Sequence, residues 1–211
     1  MDVNPFANAA ANRPLVVCDI DEVVLEFLGP FDAYLRSRDH QLVADSFRLH
    51  GNIRHLADGS VAPDDLVDQF QEHFFAGQDQ WQNPVEGAHA ALSALSGQAD
   101  IVFLTAMPPR HAEIRRRLLD KNGLFFPMIA TEEAKGPVVA ELSAGRSAPV
   151  AFLDDIFYNL NSVRAHVPHC LLVNIMANHT FRALAPEPGD GVHKADDWAH
   201  AYRLIADHFL T

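Results

Sequence analysis

The sequence predicts an α/β protein, a parallel sheet covered by helices on both faces, with a small all-helical segment inserted after the first strand. Three observations carry that prediction. From residue 84 onward, short continuous apolar runs alternate with helical stretches, the pattern of strands buried on both faces. The earliest such run, Leu15-Val16-Val17-Cys18, stands apart from that alternation, separated from it by residues 26 to 83. Within that gap the apolar residues keep helical spacing and no strand-like run occurs.

The opening strand runs straight into Asp19-Ile20-Asp21. Side chains alternate along extended chain, so the two acids project to the same side where the strand ends. Residues 26 to 83 follow, with Phe31, Tyr34 and Leu35 at one helical spacing and Leu66, Val67, Phe70 and Phe74 at another. Ala62-Pro63-Asp64-Asp65 has proline and acids where a first helical turn favours them. This segment also holds Arg36, Arg38, Arg48, Arg54, His40, His50, His55 and His73. Each reads singly as solvated surface, while as a group they are able to reach a substrate.

The alternation then runs in order. Pro84 to Leu95 is an Ala-rich helix, Ile101 to Leu104 a second strand ending at Thr105, and Pro108-Pro109 opens a helix that Gly123 closes. Ile114, Leu118 and Leu119 form the inward stripe of that helix. Phe125 to Ala130 is a third strand, and Gly136-Pro137 begins the next helix. Val150 to Leu153 is the fourth strand, ending at Asp154-Asp155. A helix over Ile156 to His166, a fifth strand at Leu171 to Val173 and a last helix carrying Trp198, Tyr202, Ile205 and Phe209 complete the chain.

Composition bounds the function. At 211 residues, 48% hydrophobic and 21% charged, the chain suits one domain carrying a smaller insert. A formal net charge of −12 repels a phosphate backbone and argues against nucleic acid as a partner. No apolar run nears the ~20 residues of a membrane helix. Residues 1 to 13, rich in Ala and Asn, read as a flexible tail and not as a signal peptide. The two cysteines, Cys18 and Cys170, lie in apolar runs, the simple pattern of reduced, buried thiols in a cytoplasmic protein. Cys18 has no histidine nearby in sequence to make it a nucleophile.

Three strands end in polar residues, and in a parallel sheet those ends share one edge, where ligands bind. Asp19, Asp21, Asp154, Asp155 and Thr105 therefore converge. Clustered carboxylates favour a hard, oxygen-loving cation such as Mg²⁺, without which mutual repulsion keeps some of them protonated. Each taken singly is also explained as a cap or turn residue. Lysine adds an independent signal, for the chain has only Lys121, Lys135 and Lys194. Lys135 precedes Gly136-Pro137 at a helix start, where the dipole opposes a cation, so an anion or carboxylate is its expected partner.

These residues resemble the motifs of the haloacid dehalogenase superfamily, in its Mg²⁺-dependent phosphohydrolase branch. Val16-Val17-Cys18-Asp19-Ile20-Asp21-Glu22-Val23 matches its apolar strand with Asp-x-Asp, and Phe103-Leu104-Thr105 its strand ending in Thr or Ser. Lys135 fits its lysine ahead of a helix, and Phe152-Leu153-Asp154-Asp155 its strand ending in acids. The ordered set spans residues 15 to 155. Glu22 departs from the Gly often found there, and Asp21, absent from the family's dehalogenases, favours phosphoryl chemistry. The resemblance implies a Rossmann-like core over residues 14–25 and 84–211, with residues 26–83 as a C1-type helical cap. It implies Asp19 as nucleophile and Asp21 as acid and base. Phosphate would be held by Asp19, Thr105, the Ala106 N–H and Lys135. Mg²⁺ would be held by Asp19, the Asp21 backbone carbonyl and the acids Asp154 and Asp155, with Asp155 direct and Asp154 through water. The implied substrate is a small-molecule phosphate monoester, and the protein a monomer or homodimer. The alternatives are a phosphotransferase or mutase with the same intermediate, and a non-catalytic protein that binds a phosphorylated ligand.

Overall fold

Strands form where apolar runs are buried from both sides, and the register of the sheet follows from that. A computed structural model describes residues 12 to 210, so residues 1 to 11 of the expected tail over residues 1 to 13 lie outside the described residues. Its elements in chain order are β1 (Leu15–Cys18), α1 (Leu28–Arg36), β2 (His40–Leu42), β3 (Ile53–His55), α2 (Asp64–Ala76), α3 (Ala88–Ser96), β4 (Asp100–Thr105), α4 (Ala112–Lys121) and β5 (Met128–Ala130). They continue as α5 (Lys135–Ser143), β6 (Val150–Asp154), α6 (Phe157–His166), β7 (Leu171–Asn174), α7 (His179–Arg182), β8 (Val192–Lys194) and α8 (Trp198–His208). Among the described residues no helix is long and apolar enough to cross a membrane.

Six strands make one parallel sheet in the order β5-β4-β1-β6-β7-β8. The chain leaves β1 toward β4 and β5, then returns to the other flank of β1 as β6, so the order reverses at β1. Such a switch point opens a crevice beyond the C-terminal strand ends. Alternation along β1 divides the core in two. Val16 and Cys18 join one buried cluster with Trp198 and Ile205 of α8, while Leu15 and Val17 join another with Val139 of α5 and Val163 of α6. Helices thus cover both faces, as predicted. Arg13, within the expected tail, pairs with Asp100 at 3.0 Å and receives a hydrogen bond from Arg146 on its carbonyl.

The segment after β1 differs from the all-helical expectation. Besides α1 and α2 it contains an antiparallel hairpin, His40↔His55, Gln41↔Arg54 and Leu42↔Ile53. Its third apolar cluster is aromatic, with Phe27, Phe31, Tyr34, Phe70 and Phe74 joined by Met176 and Phe181 from the loop and helix after β7. Stacked and edge-to-face rings 5.3 to 5.7 Å apart, Phe27–Phe31, Phe31–Phe74 and Tyr34–Phe74, give this cluster directional packing. The chain enters and leaves the segment side by side, with Glu26 N donating to the Asn83 carbonyl at 2.9 Å and Val85 N to that of Val24 at 2.9 Å.

Candidate active site

The end of β1 sets the geometry. Asp19 N donates to the Leu153 carbonyl at 2.9 Å, fixing Asp19 against β6. The chain then turns sharply, because the Ile20 carbonyl accepts from Val23, Val24 and Leu25. Glu22 in that turn has φ +62, a left-handed conformation uncommon for a residue with a side chain. Its carboxylate explains the departure from Gly. It accepts from Phe27 N at 2.9 Å and Leu28 N at 2.6 Å, the free donors at the start of α1, and from Asn178 N at 2.7 Å, just ahead of α7. Burial raises the Glu22 carboxyl above its ordinary value against the pull of those three N–H groups.

Lys135, the first residue of α5, is 1% exposed, and its Nζ lies 2.7 Å from both Asp19 Oδ1 and Asp154 Oδ2. It reaches that place because Gly136 lets α5 press onto α6. A Cβ there would fall 2.4 Å from the Ser162 carbonyl oxygen. Burial works against the ammonium, but Asp154 and Asp19 outweigh it and hold its pKa above the ordinary lysine value. Asp19 is pushed up to about 7, by burial first and by Asp154 and Asp21 in addition, with Lys135 opposing. Asp155 is raised well above its usual range by burial, then by Asp154 and Asp19.

Oxygens of Asp19, Asp154 and Asp155 lie within 4.8 Å of one another. A set of carboxylates with no sulfur or imidazole fits a hard cation such as Mg²⁺, and a cation is what would let the raised Asp19 and Asp155 ionise together. Both Asp154 oxygens already have partners, in Lys135, Asn159 and Ile156 N, and Asp154 is fully buried. Asp155 instead lines the cavity, and Asn174 Nδ2 holds the carbonyls of both acids at 3.1 and 3.0 Å.

That cavity encloses about 590 Å³ between the strand ends and the inserted segment. Asp19, Asp21, Thr105, Ala106 and Asp155 all line it, while Asp154, also expected at this edge, lies fully buried behind them. Thr105 is buried, with Oγ1 accepting from Met107 N at 3.2 Å. The Ala106 N–H meets no acceptor among the described residues. Asp21 is not part of the three-carboxylate group. Its side chain turns to Arg115 and Gln82. The thiols of Cys18 and Cys170 are buried, the first pushed well up by burial and Asp19, the second to about 12 by burial.

Of the eight basic residues singled out in the inserted segment, Arg48 alone lines the cavity. Arg36 pairs with Asp32, Arg54 with Asp45 and His50 with Asp68, while Arg38 stacks over Tyr34. Sequence reasoning missed a contact across the mouth, where Glu72 of α2 meets Arg110 and His111, the last at 3.1 Å. Arg110, then His111, holds the Glu72 carboxyl down at about 2. It also missed Arg115, which shares the apolar stripe of α4 with Leu118 and Leu119 at spacings of three and four. A charged residue on that stripe was the available signal.

The chain matches no protein-family model and no curated protein. Its fold is similar to several solved structures. One is a haloacid dehalogenase family hydrolase from Deinococcus radiodurans R1 with bound phosphate and sodium (TM-score 0.62, 16% identity, covering 94% of this chain and 97% of that one). Another is a haloacid dehalogenase-like family hydrolase from Xanthomonas campestris (TM-score 0.59, 13% identity, 96% and 94%). A third is a haloacid dehalogenase-like protein of unknown function from Agrobacterium tumefaciens (TM-score 0.60, 14% identity, 92% and 97%). The match runs nearly end to end in both directions, and this chain carries the fold of the haloacid dehalogenase superfamily.

Proposed function

We propose that the chain is a phosphatase that hydrolyses a small-molecule phosphate monoester through an aspartyl-phosphate on Asp19. The observation that carries this reading is Lys135 set between Asp19 and Asp154, beside Asp155, with Thr105 and Ala106 lining the same cavity. Lys135 occupies Asp19 Oδ1 and leaves the other oxygen to attack phosphorus. As the new O–P bond forms, the ester P–O bond breaks and the leaving oxygen takes a proton from Asp21. Water then attacks the phosphoenzyme, Asp21 takes its proton, and inorganic phosphate departs from Asp19. The Thr105 hydroxyl, the Ala106 N–H and Lys135 hold the phosphoryl oxygens, and such preorganised donors provide most of the acceleration.

Asp19 and Asp155 would hold Mg²⁺, joined by the Asp21 carbonyl, with Asp154 behind them through water and tied to Lys135. The ion supplies neutralising charge for the phosphoryl oxygens. Residues 26 to 83 act as a C1-type cap over the core of residues 14–25 and 84–211, expelling water and selecting the leaving group.

The test is turnover of p-nitrophenyl phosphate in Mg²⁺ and after chelation. Activity is expected to vanish on chelation and return with Mg²⁺, and to vanish in Asp19→Asn with the fold kept. Equal turnover without the metal, or an active Asp19→Asn variant, rejects the reading. Transfer of phosphate to an added acceptor, in place of release, would identify a phosphotransferase.

A further inference from the structure

Arg115 has no exposed surface, and its whole guanidinium is engaged. Nε donates to Gln78 Oε1. Nη2 donates to Asp21 Oδ1 at 2.9 Å and to Gln82 Oε1 at 3.3 Å, and Nη1 and Nη2 reach Asp21 Oδ2 at 3.2 and 3.1 Å. Asp21 is the one carboxylate in ion-pair range of Arg115 among the described residues. Gln82 Nε2 completes the arrangement with bonds to Asp21 Oδ1 at 2.8 Å and to the Glu26 carbonyl at 2.9 Å. Gln78 and Gln82 lie where the inserted segment returns to the sheet, and Glu26 lies where it departs. A desolvated guanidinium is costly to keep, and the forked geometry of arginine fixes the plane of a carboxylate as a lysine does not.

We propose that Arg115 is a positioning residue for Asp21. It holds the carboxyl in the orientation from which a proton reaches the leaving-group oxygen, and Gln82 ties that orientation to both connections of the inserted segment. Asp21 Oδ1 accepts from Gln82 Nε2 and Arg115 Nη2, and Oδ2 accepts from both terminal nitrogens of the guanidinium, so the carboxyl plane is fixed while the side chain stays 21% exposed at the cavity wall. This inference depends on Asp21 being the acid and base of the reaction proposed above.

The experiment compares p-nitrophenyl phosphate with benzyl phosphate, two esters of similar size. The first leaving group departs without a proton and the second needs one. In Arg115→Lys, which keeps the charge and loses the fork, kcat for benzyl phosphate is expected to fall on the order of 10²-fold, within the range of a lost general acid, and kcat for the nitrophenyl ester several-fold at most. In an Asp21→Asn background the same substitution is expected to add little, because the two residues act as one unit. Should Arg115→Lys fold poorly, Gln82→Ala removes three hydrogen bonds and no charge, and a weaker version of the same selective loss is expected. Equal losses on both esters, or losses that multiply in the double variant, overturn the proposal. A wild-type protein that turns over neither ester overturns the phosphatase reading instead, and the proposal with it.

Discussion

Lys135→Met removes the one cation that pairs with the buried group of Asp19, Asp154 and Asp155 among the described residues. Stripping the partner from a buried ion pair costs roughly 3–5 kcal/mol, and here a single ammonium serves two carboxylates, so the upper part of that range is expected near pH 8 without metal. The loss depends on pH. Asp19 is already raised to about 7 with the lysine present, and it climbs further without it. At pH 5 Asp19 is largely neutral in either protein, the ammonium has less to pair with, and the difference between them narrows. Urea unfolding of metal-free protein at pH 8 and pH 5 measures both quantities. Mg²⁺ at a hundredfold excess over its Kd is expected to add about 2.7 kcal/mol to whichever protein binds it. A loss under about 1 kcal/mol, or the same loss at both pH values, would refute the account of Lys135 as the counter-charge of the site.

Three further outcomes are expected. Gly136→Ala forces a Cβ against the Ser162 carbonyl and moves α5 off α6, costing about 1–3 kcal/mol in thermal or urea unfolding and lowering phosphatase turnover, since Lys135 is the adjoining residue. Glu22→Gln turns an amide N–H toward backbone donors and weakens charge-assisted bonds to α1 and Asn178, a loss of roughly 1–3 kcal/mol. The metal-free wild type gains stability as pH falls from 7.5 toward 5. Asp19 accounts for about 2.5 kcal/mol of that trend, because a carboxyl raised on folding binds protons that the unfolded chain releases, and saturating Mg²⁺ should flatten the profile.

The parts of this molecule that were legible in its sequence are those where burial is uniform. β1, β4 and β6 are largely apolar runs, and at or just past the end of each stands a polar residue that lines the cavity, Asp19, Thr105 and Asp155. Lys135 was legible because lysine is scarce here and stands where a helix dipole opposes it. The hairpin of β2 and β3 was not, since three-residue strands such as His40-Gln41-Leu42 and Ile53-Arg54-His55 alternate too briefly to show a period and remain partly exposed. β8 lies at the sheet edge with His193 and Lys194 exposed, and α7 is a single turn. In α4 the expected inward Ile114 is only half-buried, while Arg115 is fully buried beside Leu118 and Leu119. Charged residues default to the surface, and an ion pair between residue 21 and the buried residue 115 leaves no periodic trace.

The acids of β1 and those of β6 meet only because strands separated by most of the chain lie side by side, with Leu15 opposite Val150 and Cys18 opposite Leu153. Pairings this remote in sequence carry a large loop-closure entropy and slow the search for the native topology. No contiguous fragment shorter than residues 19 to 155 contains Asp19, Thr105, Lys135 and Asp155 together, so a half-assembled chain emerging from denaturant is inert. Recovery of turnover on refolding therefore marks completion of the central strand pairings, a later event than the return of helical circular dichroism.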